Sequence, residues 1–170
     1  AEAQAGATEK LLTTPDNRAN RSRPEWSPDG TRIVFLEGDE KKYGAYNMDH
    51  LAFVPADGSA PPQRLKFVED LDRGVSGLRA SADGKSVIAT VTDNRSVYPI
   101  SITRTALTRL LDNPIVVSNL SIGGGRTVLL SGNDNKPTEI YAMEGKTLRQ
   151  ITHQNDALMN ELQIPATEEV

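Results

Sequence analysis

The chain has 170 residues, 37% of them hydrophobic, with no cysteine and a formal net charge of −4. That length suits one domain with a real core, and the charge gives no electrostatic case for nucleic acid or an anionic membrane surface as a partner. Without cysteine there are no disulfides and no thiolate-held metals, which leaves the compartment open.

At the N-terminus, Ala1 to Gly6 has neither a basic region nor an apolar core and does not read as a signal peptide. No initiator Met is present, so the chain is expected to come from something longer. No apolar run approaches the roughly 18 residues of a spanning helix. Residues 7 to 14, ATEKLLTT, resemble the later segments PQRLK and TLRQIT and are expected to form an orphan outer strand.

Then comes WSPDGTRIVF, Trp26 to Phe35. Its tight Ser27-Pro28-Asp29-Gly30 turn leads straight into Ile33-Val34-Phe35-Leu36, apolar on both sides. A strand with one wet face alternates, so both faces of this one are expected to be covered. The stretch recurs as ASADGKSVIATV from Ala80 and, with its Asp lost, as SIGGGRTVLLSG from Ser121. The turns start at Ser27, Ser81 and Ile122, intervals of 54 and 41 residues. The shorter interval matches the roughly 40–45 residues of a four-stranded propeller blade. The longer one accommodates a polar insertion around Glu37 to Asp49.

The chain therefore parses as all-β, a partial propeller of about three four-stranded antiparallel blades. In the first, strands are expected at 23–26, 31–36, 50–55 and 63–66. The second has them at 74–80, 86–92, 96–103 and 106–111, and the third at 115–121, 127–131, 139–143 and 147–152. The corresponding divisions are 1–14, 15–66, 67–112, 113–153 and a terminal linker over 154–170. Rings need about four to eight blades to close. Three make an arc with an apolar face at each end, to be covered by a second copy or by excised sequence.

Three segments carry a resemblance: PEWSPDGTRIVFLEG from Pro24, DLDRGVSGLRASADGKSV from Asp70, and KPTEIYAMEGKTLRQITHQNDALMNELQI from Lys136. Together they resemble the non-catalytic propeller of the prolyl oligopeptidase family of serine peptidases, in its acylaminoacyl-peptidase and dipeptidyl-peptidase branch. The resemblance implies a propeller capping an α/β-hydrolase domain with a Ser-Asp-His triad and admitting only short peptides to it. Its partners would be a peptide substrate and that hydrolase domain, and its home the periplasm or the exterior, with the cytoplasm still open. No G-x-S-x-G elbow occurs in the chain, so no catalytic residue is assigned, and no cofactor or metal is expected. A rival reading is a free-standing periplasmic propeller of the Tol-Pal kind that binds a protein partner.

Asp72-Arg73 is the pair singled out for substrate or interface binding. Arg73 would sit at the hydrolase-facing rim or shape the entrance for a substrate carboxylate. The plainer alternative is a salt bridge between blades. His50 and His153 read as structural or solvent-exposed, and without Cys or H-x-x-x-H spacing they make no zinc site. Asn133-Asp134-Asn135 offers oxygen ligands in a row but lacks the acidic spacing of a calcium loop, so it reads as a hairpin.

Overall fold

The computed structural model describes residues 6, 8–13, 16, 20–27, 29–42, 48–81 and 83–165. The described strands are β1 (Arg21–Trp26), β2 (Arg32–Glu37), β3 (His50–Pro55), β4 (Gln63–Arg64), β5 (Val75–Ala80), β6 (Val87–Asp93), β7 (Ser96–Ile102) and β8 (Leu107–Arg109). They continue with β9 (Val116–Gly123), β10 (Arg126–Asn133), β11 (Lys136–Glu144) and β12 (Thr147–Gln150). Two short helices, α1 (Lys66–Glu69) and α2 (Asp156–Glu161), interrupt and follow them. The chain is all-β, with strands falling where turn chemistry and β-branched runs place them.

Every consecutive pair within β1–β4, β5–β8 and β9–β12 is antiparallel. The parse anticipates three separate sheets; the described strands form two, neither closed. The second and third groups are joined by one parallel bridge, Val97 to Val116, where the Val97 N–H donates to the Ile115 carbonyl at 2.7 Å. The result is an eight-stranded mixed sheet beside a four-stranded one.

The two aspartate turns are the same object built twice. Asp29 Oδ1 accepts from the Ser27 hydroxyl at 2.7 Å and the Thr31 N–H at 3.0 Å, while Ser27 Oγ accepts the Arg32 N–H at 3.0 Å. Asp83 Oδ1 accepts from the Ser81 hydroxyl at 2.7 Å and the Lys85 N–H at 3.1 Å, and Ser81 Oγ accepts the Ser86 N–H at 2.9 Å. In both, a Gly at positive φ, Gly30 or Gly84, closes the loop. The third turn needs no Asp because it is shorter. Gly124 and Gly125, at φ 56° and 74°, form a two-residue hairpin between paired Gly123 and Arg126.

The uninterrupted apolar runs are explained by what covers them. In β2, Val34 and Leu36 face the second sheet, whereas Phe35 packs with Ala52, Val54 and Leu12 on the far side. In β6, Val87 through Val91 are all buried. Burying each large apolar side chain stabilises by about 1.5–3 kcal/mol, and Leu51, Leu78, Ile100 and Leu129 are among the most completely covered. Strand β10 differs from the expectation of two dry faces: Leu129 is 1% exposed but Leu130 is 39% exposed.

Three other expectations are corrected. Residues 8–13 form no strand, so the orphan outer strand is absent from the described part of 7–14; residues 7 and 14 lie outside it. Leu12 instead packs its side chain against the Phe35, Ala52 and Val54 cluster, and Lys10 donates to the Asp57 carbonyl. The strand expected over 63–66 ends at Arg64, whose side chain is drawn to Glu37 and the Gly38 carbonyl while the backbone turns into α1. Likewise β8 stops at Arg109, whose guanidinium folds back to the Leu111 carbonyl at 2.7 Å and lies 3.8 Å from the Tyr98 ring centre. Part of the insertion, residues 43–47, lies outside the described residues, as do 166–170 of the expected terminal linker. No helix among the described residues is long and apolar enough to cross a membrane.

Candidate functional site

The first strand of each group carries an irregularity at one repeat position. Pairing of β1 with β2 shifts between Ser22 and Glu25, and Arg23 stands there at φ 54°. Pairing of β5 with β6 shifts between Ser76 and Arg79, around Gly77 at φ 64°. In β9 the shift skips Ser118, whose hydroxyl donates to the Leu130 carbonyl at 3.1 Å. Counted back from their turns, Arg23, Gly77 and Ser118 are equivalent. A bulge bends its strand and re-aims the neighbouring side chains.

These bulged strands lie beside one another, β1 against β5 and β5 against β9. They line a concave depression of about 570 Å³ that includes Ser22, Arg23, Ser76, Arg79, Ser118 and Asn119. Its lining is polar and bears two guanidinium groups. Arg79 donates to the Leu78 carbonyl at 2.6 Å, and the Ser76 and Thr90 hydroxyls are 2.8 Å apart. Asp49 also contributes to the wall; its carbonyl accepts the Val75 N–H at 3.1 Å, while its buried Oδ1 has no hydrogen-bond partner. The wall thus combines neutral hydrogen-bonding groups, two guanidinium groups and one carboxylate. None of them is a nucleophile paired with a base.

Asp72 and Arg73 lie between α1 and β5, and Arg73 does not line this depression. Asp72 takes φ 51°, and its carboxylate, 89% exposed, is 3.8 Å from Arg73. The close partner of Arg73 is Asp93, the last residue of β6, which accepts from Nε at 2.7 Å; Nη1 donates to the Asp72 carbonyl at 2.7 Å. The hydrogen bond from Asp93 raises the Arg73 pKa further above its ordinary value. The bridge therefore closes the β5–β6 hairpin of one group and does not link two groups. The Asp72 carboxylate stays at 3.8 Å from Arg73, whereas the hairpin brings Asp93 to 2.7 Å from it.

The histidines are separate and each has a carboxylate neighbour. His50 Nε2 is buried 2.9 Å from Asp39 Oδ1, without hydrogen-bond geometry, and His153 Nδ1 is exposed 2.7 Å from Asp156 Oδ2. Asp134, in the β10–β11 turn, is bridged by Arg95 at 2.7 Å, and the Asn135 N–H donates to Asn133 Oδ1 at 3.0 Å. Among the described residues no three His, Asp or Glu side chains gather as a metal site would require.

One polar site escaped the sequence reading. Glu139, 5% exposed, accepts from the Thr152 hydroxyl and from both the backbone and side-chain N–H groups of Asn155, at 3.0 and 2.9 Å. The Thr152 hydroxyl, foremost, holds its carboxyl below the usual range. This fastens the start of α2 to β11 and sets the direction in which the chain leaves the sheet.

No protein-family model matches the chain. It is 28% identical over 145 residues to dipeptidyl-peptidase 5 of Trichophyton schoenleinii, and equally to that of Arthroderma benhamiae, across 79% of this chain and 19% of each relative. It superposes on the acylaminoacyl peptidase of Pyrococcus horikoshii with a TM-score of 0.66 at 20% identity, covering 84% of this chain and 21% of that one. An acylaminoacyl peptidase in complex with Z-Gly-Gly-Phe-chloromethyl ketone gives 0.63 at 21% identity, over 79% of this chain and 20% of the other. At such identities the structural likeness speaks to fold alone. The chain spans 19% of the length of the curated relatives it matches. The likeness is that of a fragment of a prolyl oligopeptidase-family peptidase, the family its three sequence segments resemble.

Proposed function

We propose that this chain is part of the β-propeller of a serine peptidase, its three antiparallel groups being three blades, and that it gates peptide access to an α/β-hydrolase domain and scaffolds it. The observation that carries this reading is the shared bulge on β1, β5 and β9. Equivalent irregularities on three adjacent first strands fit the inner wall of a radial channel, and the alignment with dipeptidyl-peptidase 5 supplies the peptidase context. A channel edged by Arg23, Arg79, Ser118 and Asn119 would pass an extended peptide and exclude a folded domain by size. The Glu139 clamp on Asn155 would fix the path of the chain into the hydrolase domain. In this reading the chain performs no bond cleavage itself, and a secreted or periplasmic home goes with it.

The experiment is to read the coding frame beyond Val170 and assay its product. A following α/β pattern with G-x-S-x-G, and hydrolysis of a dipeptidyl anilide by the joined protein, is the expected result. A stop codon at that point, or a joined protein without the elbow, would refute the peptidase reading. The rim role of Asp72 and Arg73 is tested in the same protein: Arg73→Met should lower kcat/KM, and unchanged kinetics would leave Arg73 only its bridge to Asp93.

A further inference from the structure

Where the two sheets meet at their aspartate-turn end, they enclose a pocket of about 290 Å³ that is distinct from the concave depression. Its apolar wall includes Val34 and Phe53 from the first sheet and Val87 and Ile102 from the second. Val87 and Ile102 are 5% and 3% exposed, so the core itself forms that wall. Four charged side chains line it as well: Asp29, Arg32, Lys85 and Arg104.

The balance of those charges points to a ligand. Arg32 lies over the Phe53 ring, its guanidinium carbon 4.6 Å from the ring centre. A guanidinium held through its face keeps its in-plane N–H donors free for a two-pronged grip on a carboxylate. Among the described residues the side chains of Arg32, Lys85 and Arg104 make no hydrogen bond or salt bridge. Asp29 offsets only one charge of the trio, and its carboxylate and the Arg104 guanidinium attract each other. Its Oδ1 is taken up by the Ser27 hydroxyl and by both the N–H and hydroxyl of Thr31. Three cations and one committed carboxylate leave a net positive rim over an apolar wall.

We propose that this pocket binds a small monocarboxylate with an aromatic or branched apolar body. The body would lie against Val34, Phe53, Val87 and Ile102, and the carboxylate would be held by Arg32 with Lys85 and Arg104 around it. The volume stands at the small end of the roughly 300–1,000 Å³ of ligand pockets, which sets the ligand at about amino-acid to dipeptide size. Because the pocket is built where the two aspartate turns face each other, its occupant would tie the first sheet to the second. The inference is independent of the peptidase reading.

The test uses the unaltered chain and two probes of matched shape, phenylbutyrate and its neutral amide, phenylbutyramide, followed by titration calorimetry and amide chemical shifts. The acid should bind with a Kd below about 1 mM and the amide at least about tenfold more weakly. Binding of the acid should weaken in about 0.5 M salt, and the shifts should centre on Gly84 to Val87 and Ile102. Arg32→Gln, checked for an unchanged circular dichroism spectrum, should weaken the acid about tenfold and leave the amide unaffected. Equal affinity for the two probes, no binding of the acid, or shifts confined elsewhere would each overturn the proposal. The comparison of acid with amide stands even if the variant fails to fold.

Discussion

Replacing Glu37 with Ala should be among the most damaging single substitutions in this chain. Glu37 ends β2, is 5% exposed, and accepts from Arg21 Nε at 3.1 Å on one oxygen and from Arg64 Nε at 3.0 Å on the other. Arg21 opens β1 and Arg64 ends β4, so one carboxylate fastens the first strand of the sheet to its last. Removing one member of a buried ion cluster costs about 3–5 kcal/mol, because the surviving charges stay desolvated and unpaired. Here the upper end is too high: Arg21 and Arg64 side chains retain 21% and 15% exposure, and Arg64 keeps Asp39 at 3.5 Å and Glu69 at 3.4 Å. A loss of about 2–4 kcal/mol remains, equivalent to a fall in Tm of roughly 4–16 °C for a domain of this size. Urea unfolding followed by circular dichroism measures it. The sharper measurement is the pair Glu37→Met with Arg64→Met: if the cost comes from stranded charge, Arg64→Met should cost less in the Glu37→Met background than in the parent. A loss below about 1 kcal/mol for Glu37→Ala, or strict additivity in the pair, would refute this account of the cluster.

Acid should loosen the aspartate turns in a defined window. Hydrogen bonds from Ser27, foremost, and from Thr31 lower the Asp29 pKa to about 2, and the Ser81 hydroxyl lowers that of Asp83. A depressed folded-state pKa contributes stability that is present above the unfolded value, near 4, and is lost as pH falls towards the folded one. The stability of Asp29→Asn should therefore vary less between about pH 4 and pH 2 than that of the parent, as read by urea midpoints across that range. Equivalent bulges should respond oppositely to glycine. Gly77→Ala places a Cβ 3.3 Å from Thr90 Oγ1 at φ 64° and should cost about 1–2 kcal/mol, whereas Arg23→Gly, at φ 54°, should be neutral or stabilising by up to about 1 kcal/mol. Finally, Leu129→Ala should cost about 2–5 kcal/mol and Leu130→Ala under about 1 kcal/mol, since the first is buried and the second is open to solvent. Equal losses at the two sites would mean that the exposed face is covered in solution.

Turn chemistry and strand composition made most of this fold legible. Ser-x-Asp-Gly specifies a local hydrogen-bond pattern within six residues, so both copies could be read without knowing what lay around them. The third strand of the first group, 50–55, is bounded in the structure as the residues suggest, His50–Pro55. What escaped depends on partners far apart along the chain. Arg64 reaches Glu37 across 27 residues and Arg73 reaches Asp93 across 20, and no spacing rule links either pair. The bulge at Arg23 is equally silent, because an arginine does not advertise a positive φ; only its alignment with Gly77 exposes it. The N-terminal segment misled because LLTT has the composition of an outer strand, whereas its described residues meet the first group through side chains, Leu12 on the apolar face and Lys10 on the Asp57 carbonyl.

The most informative disagreement is β10. Its Val128-Leu129-Leu130 run has the residue pattern of β2 and β6, where both faces are dry, yet Leu130 is 39% exposed and so is Ile140, paired with it on β11. A strand that is apolar on both faces is stable against water only when both are covered. The first group meets this condition within the described residues through Leu12, and the second through its neighbours. The third meets it on one side only. The residue pattern of this strand therefore calls for cover on both faces, and among the described residues neither Leu130 nor Ile140 has it in full.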